Sequence, residues 1–548
     1  MIALKIARVG MPASLALSLM ATAPALAGET ISFSFGPLIR SVNVSSLKTF
    51  AADGTIADDL AYFLQFSTKE QQAGFRKALV EQAPGNPLTV SRFFSSNIGE
   101  DILQRLGKGI TLRRGGNGKY AIRSALVGAA FSSDGLTLLN VLEKLPTDVQ
   151  IHGEKLLGAA RAGERVIAAT GELTTILRSL TALEAAGQPA VDYGSLPDPR
   201  LPGRFTVNKE VWTLVDASRQ RTFYVDVHRP AGEAQQRIPV VVFSHGLASR
   251  PEDYAEGLQQ LASHGYLVVA PQHPGSDTIW LKEMLKGLHQ DIFDEQEFIN
   301  RPRDISFVID ELGRRNQTSF NGQLDMERVG VAGHSFGGYT AMAVSGATID
   351  FDHLQQDCER EYGGLNLSLL LQCRALNLPR QAYPLQDPRV RAVFAANPVN
   401  RSIFGPKGIG RIAIPIVIGS GSYDPAAPAA MEQAATFTWL TVPDRYWMMV
   451  EGQAHVNFTK IDPGIQDAIR SVGDLTLPSQ GLIRGYAASI MVPFMNTYLR
   501  GSEADRPFLR SSYAAHLSKD QRFRLSFISG SSTPALLEAI ETFRKTHR

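Results

Sequence analysis

Residues 329–338 read Val-Gly-Val-Ala-Gly-His-Ser-Phe-Gly-Gly. Val329–Ala332 is a short apolar run of the kind that forms a buried strand, and Tyr339–Gly346 has the composition of a helix. Between them lies Gly333-His334-Ser335-Phe336-Gly337. A serine placed there sits on a strained turn that lifts its hydroxyl above a sheet, and the flanking glycines let strand and helix approach closely. The helix N-terminus behind Ser335 favours negative charge developing beside it. Ser335 is therefore the candidate nucleophile, with the amide of Phe336 as one candidate oxyanion donor.

The pattern around this turn extends it into a sheet. Ile238–Ser244 (IPVVVFS) and Tyr266–Ala270 (YLVVA) are continuous apolar runs. Val390–Ala396, Ile414–Ile418 and Tyr446–Val450 repeat the theme, and Phe205–Val215 with Thr222–Arg229 reads as a hairpin. Helical stretches such as Tyr254–His264 and Asp304–Leu312 lie between them. Short strands apolar on both faces, alternating with helices, predict an α/β fold with a doubly wound, mostly parallel sheet. Right-handed crossovers then gather functional residues at the carboxyl edge of the strands.

A serine hydroxyl is a weak nucleophile and needs a base, which in turn needs an orienting acid. On a strand–turn–helix serine the chain order is serine, acid, histidine. The strand 392–396 ends in Asn397, which cannot be the acid. The strand 414–418 is followed by a loop carrying Asp424, and the strand 446–450 by Glu451-Gly452-Gln453-Ala454-His455. Of the eleven histidines, His353, His455, His516 and His547 follow Ser335. His353 precedes Asp424, and His516 and His547 lie in what reads as a tail after the last strand, which leaves His455 as the base. The second oxyanion donor is expected from Ser244-His245-Gly246-Leu247, at the Leu247 amide, with His245 holding that loop.

Four ordered blocks, VVFSHGL (241–247), LASHGYLVVAPQHPGSD (261–277), VAGHSFGG (331–338) and AHVNF (454–458), resemble the α/β-hydrolase superfamily. Within it they resemble the platelet-activating-factor acetylhydrolase and dienelactone-hydrolase-like group over roughly residues 204–500. The resemblance implies a serine esterase with the Leu247 and Phe336 amides as oxyanion hole, acting on a small-molecule or lipid ester. One departure stands out: the animal acetylhydrolases take their acid from the earlier strand end, here Asn397, so Asp424 points to the bacterial branch. The competing expectations are a degenerate hydrolase fold serving as a binding module, and a hydrolase of peptide or lipid-headgroup bonds.

The rest of the chain bounds these readings. Its 548 residues, 44% hydrophobic and 20% charged, suffice for a large core and exclude a disordered chain or a disulfide-dense mini-domain. The formal charge of +2 lacks the basic excess that nucleic-acid binding needs. Lys5 and Arg8, an apolar stretch from Met11 to Pro24, and Ala25-Leu26-Ala27 predict a signal peptide cleaved before Gly28. The remaining chain would carry 53 basic and 53 acidic residues, without a transmembrane segment, in the periplasm or outside the cell. In that compartment Cys358 and Cys373 are expected to form a disulfide. Residues 28–187 read as a helical domain with a capping box at Ser67 and Glu70, and 188–203 as a linker to a catalytic domain at 204–548. Met284 and Leu288, on an apolar helical face near the active edge with Leu281, Leu285 and Ile292, and Trp280 beside that face, are candidate substrate contacts. No cofactor or metal motif is visible, and Gly405–Gly410 reads as a loop.

Overall fold

The computed structural model describes residues 28–83, 85–232, 237–361, 363–456 and 477–546. The expected signal peptide, Asn457 and Phe458 of the fourth block, and His547 lie outside them. The described residues divide into two compact units: one from residues up to 83 plus 110–152, the other from 84–109 plus 153–548.

The larger unit is built on a nine-stranded sheet. Its strands, in chain order and numbered from β5, are β5 (Thr206–Asp216), β6 (Arg221–Ala231), β7 (Ile238–Ser244), β8 (Leu267–Pro271), β9 (Leu324–His334), β10 (Val390–Ala396), β11 (Ile416–Gly421), β12 (Arg445–Val450) and β13 (Leu525–Ser529). In space they run β13-β12-β11-β10-β9-β7-β8-β6-β5. The six from β8 to β12 are mutually parallel, while β5, β6 and β13 pair antiparallel at the two edges. The doubly wound, mostly parallel sheet expected from the apolar runs is present. Every residue of β7 and β8 is buried, which is why their sequences do not alternate. One core cluster on this sheet includes Val240, Val331 and Phe336, and the other includes Val241, Phe394 and Ile490.

The smaller unit adds strands to the expected helical N-terminal domain. It contains a four-stranded sheet of β1 (Thr30–Phe35), β2 (Leu38–Asn43), β3 (Ile110–Leu112) and β4 (Val149–His152), in the order β2-β1-β4-β3. Ile31, Phe50, Leu79, Ala125 and Val149 fill its core together with helices such as Val44–Asp53 and Lys69–Val80. The strands are short and far apart in sequence, so helical spacing around them masked their period of two. The capping box lies one residue later than expected: Thr68 is the N-cap and Gln71 reaches back.

The division at 188–203 also differs. The 35-residue helix Gly153–Gly187 belongs to the larger unit. By length and apolar composition it could cross a membrane, but Leu173, Leu177 and Leu180 are buried against the sheet's core. Thr181 Oγ1 accepts from Phe527 N at 3.0 Å, and the Glu184 carboxylate accepts from Ser529 N at 3.1 Å. These are outward amides of β13, a strand missed in what read as a tail. The segment 188–203 is likewise tied down, with Tyr193 buried and its hydroxyl donating to Pro507 O. Residues 405–410 are not a plain loop: they continue a helix, Arg401–Ile409, bent at Gly405 (φ 57°).

Cys358 and Cys373 are joined by a disulfide, with Cα atoms 5.8 Å apart, linking helices Phe351–Cys358 and Leu367–Cys373. Closing this 15-residue separation restricts the unfolded chain by about 3 kcal/mol. Replacing both cysteines by serine is expected to lower the unfolding free energy by about that amount. A shift in the urea midpoint of the larger unit, matched by adding reductant to the wild type, checks it.

Candidate active site

The site is assembled from the carboxyl ends of four adjacent parallel strands. Ser335 follows β9 directly, with φ 57° and ψ −116°, and is the N-cap of the helix Phe336–Val344. A non-glycine residue in that region is strained by about 1–3 kcal/mol and persists only where its surroundings hold it. Here Ser335 N donates to Ala396 O at 2.9 Å. A side chain on Gly337 would strike the Ser244 carbonyl, and one on Gly333 would strike the Gly337 carbonyl. The glycines that the sequence flagged are thus demanded by the packing of β7, β9 and the helix.

Asp424 and His455 come from the loops after β11 and β12. His455 Nε2 is 2.8 Å from Ser335 Oγ, and His455 Nδ1 is 2.7 Å from Asp424 Oδ2. Asp424 is 5% exposed, and its Oδ1 accepts from the amides of Ala426 and Ala427 at 2.9 and 2.8 Å. Burial opposes its ionisation, but the facing His455 and hydrogen bonds from His455, Ala427 N and Asn397 more than offset this. The carboxyl is held below its ordinary range. A carboxylate so placed keeps the proton of the imidazole on Nδ1 and leaves Nε2 to accept from the serine.

Asn397, which cannot serve as the acid, has a different part. Its Nδ2 donates to Asp424 Oδ2 at 2.6 Å, and its Oδ1 accepts from Gln453 Nε2 at 3.0 Å. It sits at φ 45° at the end of β10, a conformation asparagine tolerates better than most residues. The signal available in the sequence was a polar residue ending an otherwise apolar strand.

Phe336 is the first residue of its helix, so its amide has no acceptor within that helix. The Leu247 amide lies in the loop after β7, where Ala248 N donates to Ser276 O at 2.8 Å. His245 braces this loop, as expected: its Nδ1 donates to Gly246 O at 2.7 Å and its Nε2 accepts from His273 N at 3.1 Å. His273 in turn bonds Ser244 Oγ at 3.0 Å and Asp304 Oδ2 at 2.9 Å, and Arg221 makes a two-pronged pair with Asp304. His334 Nδ1 is 2.8 Å from Tyr254 OH, and the His334 ring centre is 4.8 Å from that of His455. None of these supporting residues was singled out by sequence except His245.

The candidate substrate contacts do not share one helix. The helix Thr278–Lys286 ends at Gly287 in a left-handed conformation, so Leu288 falls outside it and is 71% exposed. Met284 is buried, and Trp280 stacks on His289 with ring centres 3.9 Å apart. A cavity of about 440 Å³ lies instead between the sheet and helices Ala255–Ser263 and Gln480–Met495. Val241, Phe243, Leu258 and Met491 line it, and Tyr254 and His334 form part of its wall. Among the described residues no cluster of three or more His, Cys, Asp or Glu side chains could hold a metal.

The disulfide-bearing excursion is anchored beside the acid loop. Ser368 N donates to Ala426 O at 2.9 Å. Buried Glu432 accepts from Asn366 Nδ2, Ser368 Oγ, Gln372 Nε2 and the amides of Asn400 and Arg401, at 2.6 to 3.0 Å.

A nucleophile turn after the central strand of such a sheet, with its partners on later strand ends, defines the α/β-hydrolase fold. The chain is placed in that superfamily by its architecture and by two partial family matches. Residues 27–152 match the model of a family described as an alpha/beta hydrolase of unknown function (DUF1400), and residues 215–356 match that of the chlorophyllase family. The chain is also similar to chlorophyllase-1 of Arabidopsis thaliana, 34% identical over 115 residues. That alignment covers 20% of this chain and 31% of the plant protein.

Burial pushes His245, His273 and His334 well below the ordinary histidine range, so all three are neutral in the folded protein. In the unfolded chain each titrates near 6.5. The unfolded state then binds protons that the folded state refuses. Their contribution is fully present above about pH 6.5 and is lost below it, at about 1.4 kcal/mol per pH unit for each histidine. Buried Glu297, raised to about 7, takes up a proton in the folded state over the same window and offsets part of this loss. The urea midpoint is expected to fall between pH 7.5 and pH 5 by less than the three histidines alone would give; a midpoint that rises on acidification would contradict the burial of these rings.

Proposed function

We propose that the protein is an exported serine esterase hydrolysing carboxylic esters through Ser335, His455 and Asp424. The observation that carries this reading is the unbroken hydrogen-bonded path from Ser335 Oγ through both imidazole nitrogens to Asp424, in a chain otherwise built as an α/β hydrolase. The partial match to the chlorophyllase family, an esterase family, supports ester chemistry. The disulfide is compatible with export.

In the reaction, Ser335 Oγ attacks the ester carbonyl carbon as its proton passes to His455 Nε2. The carbonyl oxygen becomes an oxyanion facing the Leu247 and Phe336 amides. Asp424 stabilises the imidazolium. Collapse of the intermediate expels the alcohol, which takes the proton from Nε2 and leaves an acyl-serine. Water, deprotonated by His455, then attacks the acyl carbon; the acid leaves and the serine recovers its proton. The blocks at 241–247, 261–277 and 331–338 favour a platelet-activating-factor-acetylhydrolase-like or dienelactone-hydrolase-like ester within this class.

Ser335→Ala is expected to reduce hydrolysis of p-nitrophenyl esters by at least about 10⁴-fold and to abolish labelling by a fluorophosphonate. Asp424→Asn, which upsets the imidazole tautomer, should cost about 10⁴-fold in kcat. A Ser335→Ala protein that hydrolyses esters at the wild-type rate would end the assignment. So would a wild type that neither turns over esters nor takes the label.

A further inference from the structure

Beneath the two candidate oxyanion donors lies a cation that the reaction as written does not use. Arg301, in the helix Glu297–Ser319, is fully buried. Its Nη1 donates to His245 O at 2.6 Å, and its Nη2 donates to Gly246 O at 3.3 Å and Ser276 O at 3.4 Å. Its Nε donates to Ser276 Oγ at 2.8 Å. The guanidinium carbon lies 4.4 Å from the centre of the Phe336 ring. Burial pushes Arg301 down to about 10, which still leaves it charged at neutral pH. Glu297 Oε2 lies 3.9 Å from its Nε, and Ser276 Oγ also donates to that carboxylate oxygen at 2.9 Å.

The position of these contacts matters more than their number. A trans peptide is planar, with its C=O and N–H pointing in opposite directions. Gly246 O and Leu247 N–H belong to one such unit. A guanidinium and the His245 Nδ1–H, both donating to Gly246 O, fix that plane and draw electron density from it. The Leu247 N–H, directed away from them, becomes a stronger donor, because linked hydrogen bonds polarise one another. Gly246 is closely flanked: a Cβ there would meet Tyr254 OH at 3.1 Å and His334 Nδ1 at 3.2 Å, and its own amide donates to Tyr254 OH at 3.2 Å. The same cation sits on the ring of Phe336, whose amide is the other candidate donor, an arrangement favoured by cation–π attraction.

We propose that Arg301 is a positioning residue for the oxyanion hole, holding the Leu247 peptide through Gly246 O and the Phe336 residue through its ring with one buried guanidinium. The proposal rests on reading Ser335 as nucleophile and the Leu247 and Phe336 amides as oxyanion donors. It assigns Arg301 an effect on the tetrahedral intermediate and not on the bound ester.

The test compares Arg301→Met, Arg301→Lys and Ser276→Ala with wild type. Each is assayed for kcat and KM on p-nitrophenyl butyrate, and for inhibition by a trifluoromethyl ketone, whose serine adduct carries an oxyanion. Arg301→Met is expected to lose kcat by about 10²-fold with KM changed less than about twofold, as when one oxyanion donor is lost. Its ketone inhibition constant should rise by a similar factor. Arg301→Lys, which keeps the charge without the fork, should be intermediate. If Arg301→Met does not fold by circular dichroism, Arg301→Lys and Ser276→Ala decide: each should lose kcat several-fold at unchanged KM, with weaker ketone binding. Folded variants with kcat within twofold of wild type, or with kcat lost while ketone affinity stays constant, overturn the proposal. A wild type that is not labelled at Ser335 removes the underlying reading and this proposal with it. An active, labelled wild type with equally active variants overturns only the role of Arg301.

Discussion

The left-handed backbone of Ser335 is the constraint on which the remaining geometry depends. A serine does not adopt φ 57° by preference. It is held there because the end of β9, buried from Val329 to His334, is clamped between β7 and β10, and the helix after it is buried along its whole length. Nothing on that helix needs to be polar, and its sequence, Phe336–Val344, is apolar or small throughout apart from Tyr339 and Thr340. With the nucleophile fixed, parallel register brings up the other groups. Ala396 stands opposite His334 and Gly419, and Gly421 opposite Val450. Loops leaving β11 and β12 therefore begin level with Ser335, and short reaches suffice to bring Asp424 and His455 to it.

Two buried polar assemblies fix loops at this edge. Around Asp304, the residues His273, Arg221 and Arg219 connect the strand end after β8 to the helix Glu297–Ser319. Around Glu432, backbone and side-chain donors from the 366–373 segment and from Asn400 and Arg401 converge on one carboxylate. Burying charge stabilises a fold only weakly, because desolvation offsets much of the attraction. What such clusters supply is a single arrangement: a loop that moved would leave donors and acceptors unpaired in a dry interior.

The parts legible in the sequence were those whose signal is local. Ile238–Ser244 is legible to the residue because a strand buried on both faces is an apolar run between polar ends. Val390–Ala396 is legible because its single exposed Arg391 interrupts an otherwise apolar run. Ser335, Asp424 and His455 could be picked from chain order and strand ends, and the structure brings the three together. The sheet of the smaller unit was not legible. Its strands are three to six residues long, and β1 finds its parallel partner β4 over a hundred residues away. β13 was hidden for a similar reason, since LSFIS is short and stands alone between helices. The roles of Asn397, Arg301 and Asp304 depend on contacts between segments distant in sequence, which no periodicity encodes.

The long helix Gly153–Gly187 carries a consequence for dividing the molecule. Its Thr181 and Glu184 take up the outward amides of the last strand, so the rim of the sheet is not open. A truncated chain beginning at Gln188, where proline and glycine invite a cut, would keep every residue of the proposed chemistry. It would also present a bare β margin ready to pair with another copy. Such a fragment would be prone to self-association, and an enzyme lost to precipitation could be mistaken for one whose N-terminal half takes part in catalysis.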